Sequence, residues 1–334
     1  MKTRSVLAFV EGTDHVCCRY RLKAFLPRLA ALGTEVTIRA FRKDPIGRLT
    51  QFRDAADFDA VLIQRKLLPS WQLKALRARS RYLVFDFDDA VMCRDSYHPK
   101  GTHDERRVQR FRRLAERCDC LIAGNMFLAH RVSEWHVFGP RVEVIPTCVD
   151  PAKYAAKTTV TNNGPCRLVW VGSSSTLPSL ERERAQWDLI GQVVPGMVLR
   201  VVCDRFPTLG AMPVEQVPWA EATEANAIVE ADVGVSFLPN DEWSRGKCGL
   251  KVLQYMAGGL PVVADTVGVQ PEMVRPDVNG YLVDSIEERI EALKALRDDP
   301  ALRLRMGQAG RDRVVRDYSL ERWAEPLALA LQPT

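Results

Sequence analysis

The sequence predicts an α/β fold built from two doubly wound halves of about equal length. Short runs of β-branched and other apolar residues alternate with longer stretches of helical periodicity, which is typical of parallel sheets flanked by helices. A polar, turn-rich stretch at 150–165 interrupts this rhythm, and the rhythm then restarts. The 334 residues suffice for two domains of ordinary size.

The first half is predicted to contain six strands and four helices. The strands are expected at 5–9, 35–40, 60–63, 82–86, 120–123 and 142–145, and the helices at 17–32, 71–79, 105–117 and 126–135. The apolar run of the first strand, Val6 to Val10, is too short for the hydrophobic core of a signal peptide, and Glu11 follows it at once.

The second half repeats the alternation. Strands are expected at 167–171, 198–203, 231–237 and 261–264, and helices at 180–194, 220–229, 250–257, 286–297 and 301–317. We therefore predict an N-terminal domain at 1–155 and a second domain at 165–316. In such sheets ligands bind at the carboxyl ends of the strands, beside helix N-termini.

Composition excludes several classes of protein. The nine cysteines follow no repeating frame, which favours reduced thiols in the cytoplasm over a disulfide scaffold. Cys118 and Cys120 have no second pair at metal-binding spacing, so no metal site is expected. No apolar run approaches the roughly 20 residues that span a bilayer. The net charge of +5 permits anionic partners without requiring them.

The stretch 245–264 carries the strongest functional signal. It consists of a loop with two glycines, a helix, a glycine turn and a buried strand. Gly246 and Gly249 allow close approach of a ligand, and the helix that begins near Leu250 offers free N–H groups to a phosphate. Cationic side chains accompany this loop at Arg245, Lys247 and Lys251. These parts fit a diphosphate, although an ordinary loop–helix junction with solvated lysines contains the same residues.

A second stretch, 169–177, also suits an anionic or sugar ligand. A predicted strand ends at Gly172, and hydroxyl residues beginning with Ser173 lead into a helix. Backbone N–H and side-chain O–H groups at such a junction can contact a phosphate or a sugar. The alternative is a plain helix N-cap, where serine and threonine are preferred in any case.

Three carboxylates end the strand predicted at 82–86. Asp86 and Asp88 are expected on one face of the chain and Asp89 on the other. They suggest contact with a substrate or with a metal ion. The alternative is structural, with a helix N-cap and an ion pair to Arg81 or Arg94.

Other polar candidates flank these segments. His98 and His103 lie in the loop after the carboxylates, where a lone histidine is usually a surface residue. Arg19 and Arg21 follow the first strand and suit forked recognition of phosphate or carboxylate, although such arginines are often only solvated. Six arginines at 106–117 form either a solvated helix face or a surface for anionic lipid. Nucleic acid is not an expected partner, because no aromatic residues are interleaved with these arginines.

The stretch 245–264 resembles the donor-binding signature of retaining GT-B glycosyltransferases, especially glycosyltransferase family 4. The family's frame is Glu-x-Phe-Gly-Leu-x-x-x-Glu-x-Met-Ala-x-Gly-x-Pro-Val-Val-Ala. The residues that match it are Gly249, Leu250, Met256, Ala257, Gly259, Pro261, Val262, Val263 and Ala264. Further matches lie at 265–274, 279–283, 306–311 and 318–323. The resemblance is good over 231–324 and looser elsewhere.

Two positions depart from the family's frame. Gln254 stands where the second glutamate usually hydrogen-bonds the donor ribose, and its amide can still form such bonds. Gly246 stands where the first glutamate usually contacts the donor sugar, and a glycine has no side chain to do so. The sequence around both positions is similar to a known variant of the family, which implies a subgroup rather than an inactive protein.

The resemblance implies a GT-B fold, in which two Rossmann-like doubly wound domains face each other across a cleft. It implies a donor site at Gly172, Ser173, Arg245, Lys247, Gly249, Leu250, Lys251 and Gln254. On the acceptor side it implies Gly12, Arg19 and Arg21, with Asp88, Asp89 and His98 as catalytic candidates. It also implies that a final helix at about 318–332, with an apolar stripe that includes Trp323 and Leu327, packs back on the N-terminal domain.

The implied activity is that of a hexosyltransferase-type enzyme. It would move a sugar from a nucleotide-diphosphate sugar to a glycan, lipid or small-molecule acceptor, with retention and with neither metal nor other cofactor. A cytoplasmic location is expected, and peripheral contact with the inner membrane face stays open. Two alternatives also stay open: a nucleotide-sugar epimerase on the same fold, and a non-catalytic nucleotide-sugar-binding protein.

Overall fold

A computed structural model describes residues 3–135, 139–159 and 164–333. These residues form two six-stranded sheets in which every strand pair is parallel, with helices between most successive strands. The α/β prediction is therefore confirmed. Residues 160–163 of the predicted linker lie outside the described residues.

The first sheet has the strand order β2-β1-β3-β4-β5-β6. Its strands are β1 (Arg4–Val10), β2 (Thr34–Ala40), β3 (Ala60–Gln64), β4 (Leu83–Phe87), β5 (Cys120–Ala123) and β6 (Arg141–Val144). After β2 the chain returns to the other side of β1, so the strand order reverses between β1 and β3. The carboxyl ends of strands at such a reversal are the usual place for a ligand in a doubly wound sheet.

The helices of the first half are α1 (Val16–Arg21), α2 (Leu26–Ala31), α3 (Pro45–Gln51), α4 (Ser70–Arg77), α5 (Glu105–Ala115) and α6 (Met126–Glu134). The single helix predicted at 17–32 is wrong, because Leu22 leaves the helical region with φ −133°. A short 3-10 turn then precedes α2, where Pro27 lies in the first turn and needs no N–H partner.

The first sheet is buried on both faces, as expected for parallel strands. Leu7 and Phe9 of β1 pack into one apolar cluster, with Phe85, Phe87 and the α5 side chains. Val6 and Ala8 point the other way into a second cluster. The alternation of side chains along each strand thus fills two separate cores.

The second sheet has the strand order β12-β11-β10-β7-β8-β9. Its strands are β7 (Cys166–Val171), β8 (Met197–Cys203), β9 (Val214–Pro218), β10 (Val233–Ser236), β11 (Val262–Ala264) and β12 (Gly280–Leu282). Here the order reverses between β7 and β10, which places the loops after these two strands at the corresponding ligand position.

The remaining helices are α7 (Pro178–Glu181), α8 (Arg184–Val193), α9 (Glu224–Val229), α10 (Glu242–Arg245), α11 (Leu250–Ala257), α12 (Gln270–Met273), α13 (Ile286–Asp298), α14 (Pro300–Asp317) and α15 (Leu320–Ala330). None of the helices in the described part of the chain combines the length and the apolar character needed to cross a membrane.

The chain divides into two compact units. Unit 1 contains Met1–Cys148, Asp241–Cys248 and Leu320–Thr334, and unit 2 contains Val149–Asn240 and Gly249–Ser319. Residues 241–248, predicted within the second domain, thus belong to unit 1.

The last helix, α15, packs on unit 1. Its apolar stripe, which includes Leu320, Leu327 and Leu331, joins the cluster formed by Val6 and Ala8 of β1, with Trp323 partly buried against it. Leu22, Phe25 and Leu29 belong to the same cluster, so α15 helps these residues to shield the apolar face of β1 from water.

We expect Leu327→Ala to lower the free energy of unfolding by about 2–5 kcal/mol, because it leaves a cavity in a packed core. Leu327 is 4% exposed, whereas Leu329 on the same helix is 51% exposed. The matched control Leu329→Ala should change stability by less than about 0.5 kcal/mol. Urea unfolding measures both variants, and equal losses would contradict this packing of α15.

Candidate functional site

Asp86, the first of the three carboxylates that end β4, is held by an arginine from α1. Arg21 Nε donates to Asp86 Oδ1 at 3.0 Å and to Oδ2 at 3.1 Å, and Gln64 Nε2 donates to Oδ2 at 3.1 Å. Arg21 Nη1 donates to the Ile145 carbonyl oxygen at 2.9 Å. The two charged side chains are 3% and 6% exposed. Arg21, a candidate for the acceptor side, is therefore enclosed in a structural ion pair.

Asp88 and Asp89, just beyond β4, share a different arginine. Arg65 follows β3 directly, and its Nη1 lies 3.2 Å from Asp88 Oδ1 while its Nη2 lies 3.0 Å from Asp89 Oδ2. These side chains keep 20% exposure for Arg65 and 13% for each aspartate. The cluster of Arg65, Asp88 and Asp89, which we call the Arg65 cluster, is thus partly open to solvent.

The structural alternative for these carboxylates named the wrong arginines. Arg94 pairs with Asp104 at 2.9 Å, and Arg81 lies 3.8 Å from Asp59. Asp104 is also the N-cap of α5, a role that none of the three β4 carboxylates takes. The carboxylates do form ion pairs, as this alternative predicted, but their partners are Arg21 of α1 and Arg65 at the end of β3.

Electrostatic interactions in the Arg65 cluster favour the ionised form of Asp88. Burial alone would raise the pKa of Asp88, but Arg65 and then Arg21 outweigh it and hold this pKa below its usual value. Cys17 of α1 accepts a hydrogen bond from Arg65, and burial raises the pKa of its thiol. The thiol is therefore neutral beside an ionised Asp88.

Residues 241–248 are anchored on unit 1 by polar contacts at several points. Asn125 Nδ2 donates to the carbonyl oxygens of Gly246 at 3.1 Å and Lys247 at 3.2 Å. The Ser96 hydroxyl donates to Asp241 Oδ1 at 3.0 Å. Two predicted donor-binding residues of this segment, Arg245 and Lys247, are therefore carried by the unit that holds the Arg65 cluster.

Gly246 has no room for a side chain. A Cβ atom here would lie 2.7 Å from Ala90 Cβ and 2.8 Å from Ala90 N, distances that real Cβ atoms do not tolerate. This close packing gives a physical reason for the glycine where the family's frame has a glutamate. A glutamate at this position would push the segment away from the loop that follows β4.

Lys247 packs against an aromatic ring instead of pairing with a carboxylate. Its Nζ lies 3.4 Å from the centroid of the Trp243 ring, a cation–π geometry. Burial lowers the pKa of Lys247, and the nearby charge of Asp89 partly offsets this effect. Arg245, by contrast, is exposed.

Of the other unit 1 candidates, the two histidines lie in the loop after β4 and Arg19 lies in α1. His98 Nδ1 accepts a hydrogen bond from the Lys100 N–H at 3.2 Å, which closes a turn. His103 is exposed, with Nε2 3.7 Å from Glu105 Oε2. The Arg19 guanidinium lies 5.5 Å from the Tyr20 ring centroid.

No close contact requires a glycine at position 12. The nearest atom to an added Cβ would be His15 Cβ, at 3.9 Å. His15 itself caps α1, because its Nδ1 accepts from the Cys17 N–H at 3.3 Å. The loop after β1 thus places Cys17 at the Arg65 cluster without a special backbone at Gly12.

In unit 2, the loop after β7 forms a tight turn. The Ser174 N–H donates to Asp204 Oδ1 at 2.6 Å, and the hydroxyl oxygens of Ser173 and Ser175 lie 2.8 Å apart. A Cβ at Gly172 would lie 2.1 Å from Trp170 Cη2. Because Gly172 and Ser173 come directly after β7, they lie at the strand-order reversal between β7 and β10.

The start of α11 has the features expected of an anion site. Gly249 has φ 64°, a left-handed backbone that favours glycine, and it precedes the helix without a side-chain cap. Leu250 is the first helical residue, and Lys251 Nζ lies 4.0 Å from the Trp170 ring centroid. Gln254 is 1% exposed on the same helix.

The sequence interpretation missed two charged residues at the carboxyl edges of the sheets. Arg65 was overlooked, although a cation directly after a buried strand is a signal in itself. Asp265, directly after β11, accepts from the Leu238 N–H at 2.6 Å and from Arg289 at 3.2 Å. Burial raises the pKa of Asp265 to about 7, against the opposing charge of Arg289.

Comparison with known proteins gives one family match. Residues 182–328 match the model of a family described as glycosyl transferase-like. A curated relative, the GDP-mannose-dependent monoacylated alpha-(1-6)-phosphatidylinositol monomannoside mannosyltransferase of Corynebacterium glutamicum, is 40% identical over 86 residues. The matched segment spans 25% of this chain and 22% of that protein, so most of the relative's length has no counterpart in the match.

Solved structures match nearly the whole chain. Sucrose-phosphate synthase from Thermosynechococcus elongatus has a TM-score of 0.74 at 17% identity, covering 98% of both chains. The Anabaena protein HepE in complex with UDP and glucose has a TM-score of 0.69 at 14% identity, covering 98% of this chain and 99% of that one. The fold class is therefore GT-B, as predicted.

Gly246→Ala tests the close packing of residues 241–248. We expect a loss of about 1–3 kcal/mol in the free energy of unfolding, because the added methyl overlaps Ala90. Gly12→Ala is the control, since its methyl would make only an ordinary contact with His15 Cβ at 3.9 Å, and it should be nearly neutral. Thermal unfolding measures both, and a neutral Gly246→Ala would show that this segment does not pack as described.

Proposed function

We propose that this chain is a glycosyltransferase that moves a sugar from a nucleotide-diphosphate sugar to an acceptor hydroxyl with retention. In the reaction the bond between the anomeric carbon and the diphosphate oxygen breaks, and its electron pair stays on the diphosphate. The acceptor oxygen forms the new bond and the hydroxyl loses its proton. The observation that carries the proposal is the start of α11, which lies within the residues that match the glycosyl transferase-like family.

The start of α11 suits the diphosphate. The first N–H groups of a helix point at a bound anion, and the positive end of the helix dipole stabilises its charge. Gly249 carries no side chain that would compete for these groups, and the ammonium of Lys251 lies beside them on the Trp170 ring. Donors that are in place before reaction stabilise the charge that develops on a departing diphosphate.

The loop after β7 is the second part of the proposed donor site. Gly172 and Ser173 would offer backbone and hydroxyl donors, and Gln254 on α11 would contact the ribose. Leu250, the first residue of α11, completes the proposed donor residues of unit 2. A donor role for Arg245 and Lys247, which lie in unit 1, stays a prediction of the sequence. The nucleotide base of the donor is one outcome of the assay described below. One relative is named for GDP-mannose, whereas one matching structure contains UDP.

The Arg65 cluster suits the acceptor side of the reaction. Asp88 and Asp89 are partly exposed carboxyl groups at the strand-order reversal of the first sheet, where they can accept a hydrogen bond from a hydroxyl. His98, Gly12 and Arg19 are the remaining acceptor-side candidates. Both carboxylates are occupied by an arginine, which argues against their serving as metal ligands.

An assay of donor turnover tests the proposal against its alternatives. The protein is incubated with a panel of nucleotide sugars in EDTA, with and without glycan, lipid and small-molecule acceptors. Transfer of sugar supports the proposal, and the anomeric configuration of the product decides retention. Conversion of the donor to its epimer would favour an epimerase, and binding without turnover would favour a non-catalytic protein. A requirement for added divalent metal would contradict metal independence.

Lys251→Ala tests the donor site directly. We expect it to weaken binding of the preferred nucleotide diphosphate by about 1.5–3 kcal/mol, the scale of a charged hydrogen bond. Ligand-induced thermal stabilisation measures the affinity, because a ligand of the folded state raises the melting temperature. Lys294→Ala, on the exposed face of α13, is the control. Equal affinity in both variants would count against Lys251.

We also propose that unit 1 contacts an anionic membrane surface through α4 and α5. Trp71 is 50% exposed at the start of α4, and Lys74, Arg110 and Arg113 are exposed on the same two helices. Arg113 Nη1 lies 3.2 Å from Ser70 Oγ, which brings the arginine to the residue before the tryptophan. An exposed indole among cations suits the interface of an anionic bilayer.

Vesicle sedimentation tests this surface. The protein should bind vesicles that contain phosphatidylglycerol and not vesicles of phosphatidylcholine alone. Arg110→Ala with Arg113→Ala should lower binding roughly tenfold or more, since each basic residue near the surface contributes about 1 kcal/mol. The matched control is Arg42→Ala with Lys43→Ala, which removes two exposed cations elsewhere on unit 1. Equal binding by both double variants would refute the assignment.

A further inference from the structure

Arg65 has an unusual backbone for its residue type. Its φ is 59°, and among the described residues only Asp277 shares a positive φ without being glycine. A non-glycine residue in this region is strained, and strain of this kind persists only where the surroundings enforce it. The surroundings here are the sheet itself, because the Arg65 N–H donates to the Asp86 carbonyl oxygen at 2.9 Å.

The strained backbone places the guanidinium at the strand-order reversal of the first sheet. Arg65 stands at the carboxyl end of β3, next to the end of β1. Cys17 reaches it from the helix after β1, and Asp88 and Asp89 reach it from the end of β4. Three elements therefore meet at one side chain, at the place where doubly wound sheets bind ligands.

The guanidinium makes a contact that no other side chain can reproduce. Its two Nη atoms bond two different carboxylates, one from each of two adjacent residues. A lysine ammonium is a single point charge and cannot hold both in the same geometry. The fork therefore fixes the orientation of Asp88 and Asp89 relative to each other.

The Arg65 cluster still has hydrogen-bonding capacity. Asp89 Oδ1 and Arg65 Nε are buried and have no hydrogen-bond partner within the described residues. One is an acceptor and the other a donor, and buried polar atoms of a folded protein normally find partners. A hydroxyl group can both donate and accept, so it matches the chemistry of both atoms.

We propose that Arg65 is a positioning residue that orients the Asp88 and Asp89 carboxylates toward the acceptor hydroxyl. This inference rests on the proposed glycosyltransferase function. Arg65 touches the carboxylates and not the reacting atoms, so it acts through them. Its strained backbone is the cost of aiming the guanidinium from the end of β3.

Two substitutions distinguish the effect of the forked guanidinium contact from the effect of the strained backbone at Arg65. Arg65→Lys keeps a positive charge and loses the fork. Arg65→Gly relieves the strained φ and removes the cation altogether, and its melting temperature reports what the two unpaired carboxylates cost the fold. Two controls match them: Arg77→Lys changes an arginine that pairs with Asp119 at 3.0 Å, and Asp277→Gly relieves the other strained position.

The readout is hydrolysis of the preferred nucleotide sugar, in which water takes the place of the acceptor, followed across pH. Arg65→Lys should lower kcat by about tenfold to a hundredfold while KM for the donor stays within about twofold. In Arg65→Gly the acid limb of the kcat profile should move to higher pH, because Asp88 loses the cation that favours its ionised form. The other ionisable groups that face Asp88 are Arg21, Cys17, Cys248, His15 and Lys247, and all five remain in these variants.

The outcomes distinguish this inference from the function on which it rests. Arg65→Gly should be at least as slow as Arg65→Lys, and both controls should keep the wild-type kcat and pH profile. An active wild type with an equally active Arg65→Lys, whatever its melting temperature, overturns the positioning role alone. A wild type that turns over no nucleotide sugar overturns the proposed function and the positioning role together.

Discussion

Three carboxylates at the end of β4 impose the constraint around which the first sheet is arranged. β4 is buried on both faces, and a buried carboxylate without a cation costs several kcal/mol. Arg21 from α1 neutralises Asp86, and it also donates to the Ile145 carbonyl oxygen just after β6. One ion pair thus joins a helix to two strand ends, and loss of either partner would cost about 3–5 kcal/mol.

The ion pairs formed by Arg21 and by Arg65 differ in the hydrogen-bonding capacity that remains for a ligand. The pair of Arg21 and Asp86 is enclosed, and Gln64 takes up further capacity of the carboxylate. The pair of Asp88 and Asp89 with Arg65 is partly open and retains an unmatched acceptor. An enclosed ion pair stabilises the fold and has little left to offer a substrate. The open cluster, whose carboxylates begin two residues further along the chain at Asp88, carries the remaining capacity for binding.

Local sequence predicted the elements that have strong local signals. Helix α11 was predicted at its observed bounds, because Gly249 precedes it and an apolar face runs through it. Strand β9 was missed because it is a polar strand at the edge of the sheet, and β12 because it has only three residues. The break at Leu22 was missed because its φ is set by packing rather than by residue type.

The site could be predicted only where its partners are close in sequence. The Asp88 and Asp89 carboxylates were found because they follow a buried strand. Arg65 was not, since the direction of its side chain depends on a positive φ that an arginine rarely adopts. The attachment of residues 241–248 to unit 1 was not predictable either, because Asn125, which holds Gly246, is more than a hundred residues away.

The packing at Gly246 connects the departure from the family's frame to the carboxylates after β4. Gly246 lies against Ala90, the residue directly after Asp89. A glutamate there would overlap Ala90, and its charge would stand close to two carboxylates that already share one arginine. Like charges at short range oppose ionisation, so an added carboxylate would make the ionised forms of its neighbours less favourable. The glycine removes both conflicts, and Lys247 next to it is a cation whose charged form is favoured by the nearby Asp89. The glycine and the lysine at 246 and 247 are therefore compatible with the carboxylates that follow β4, whereas a glutamate at position 246 is not.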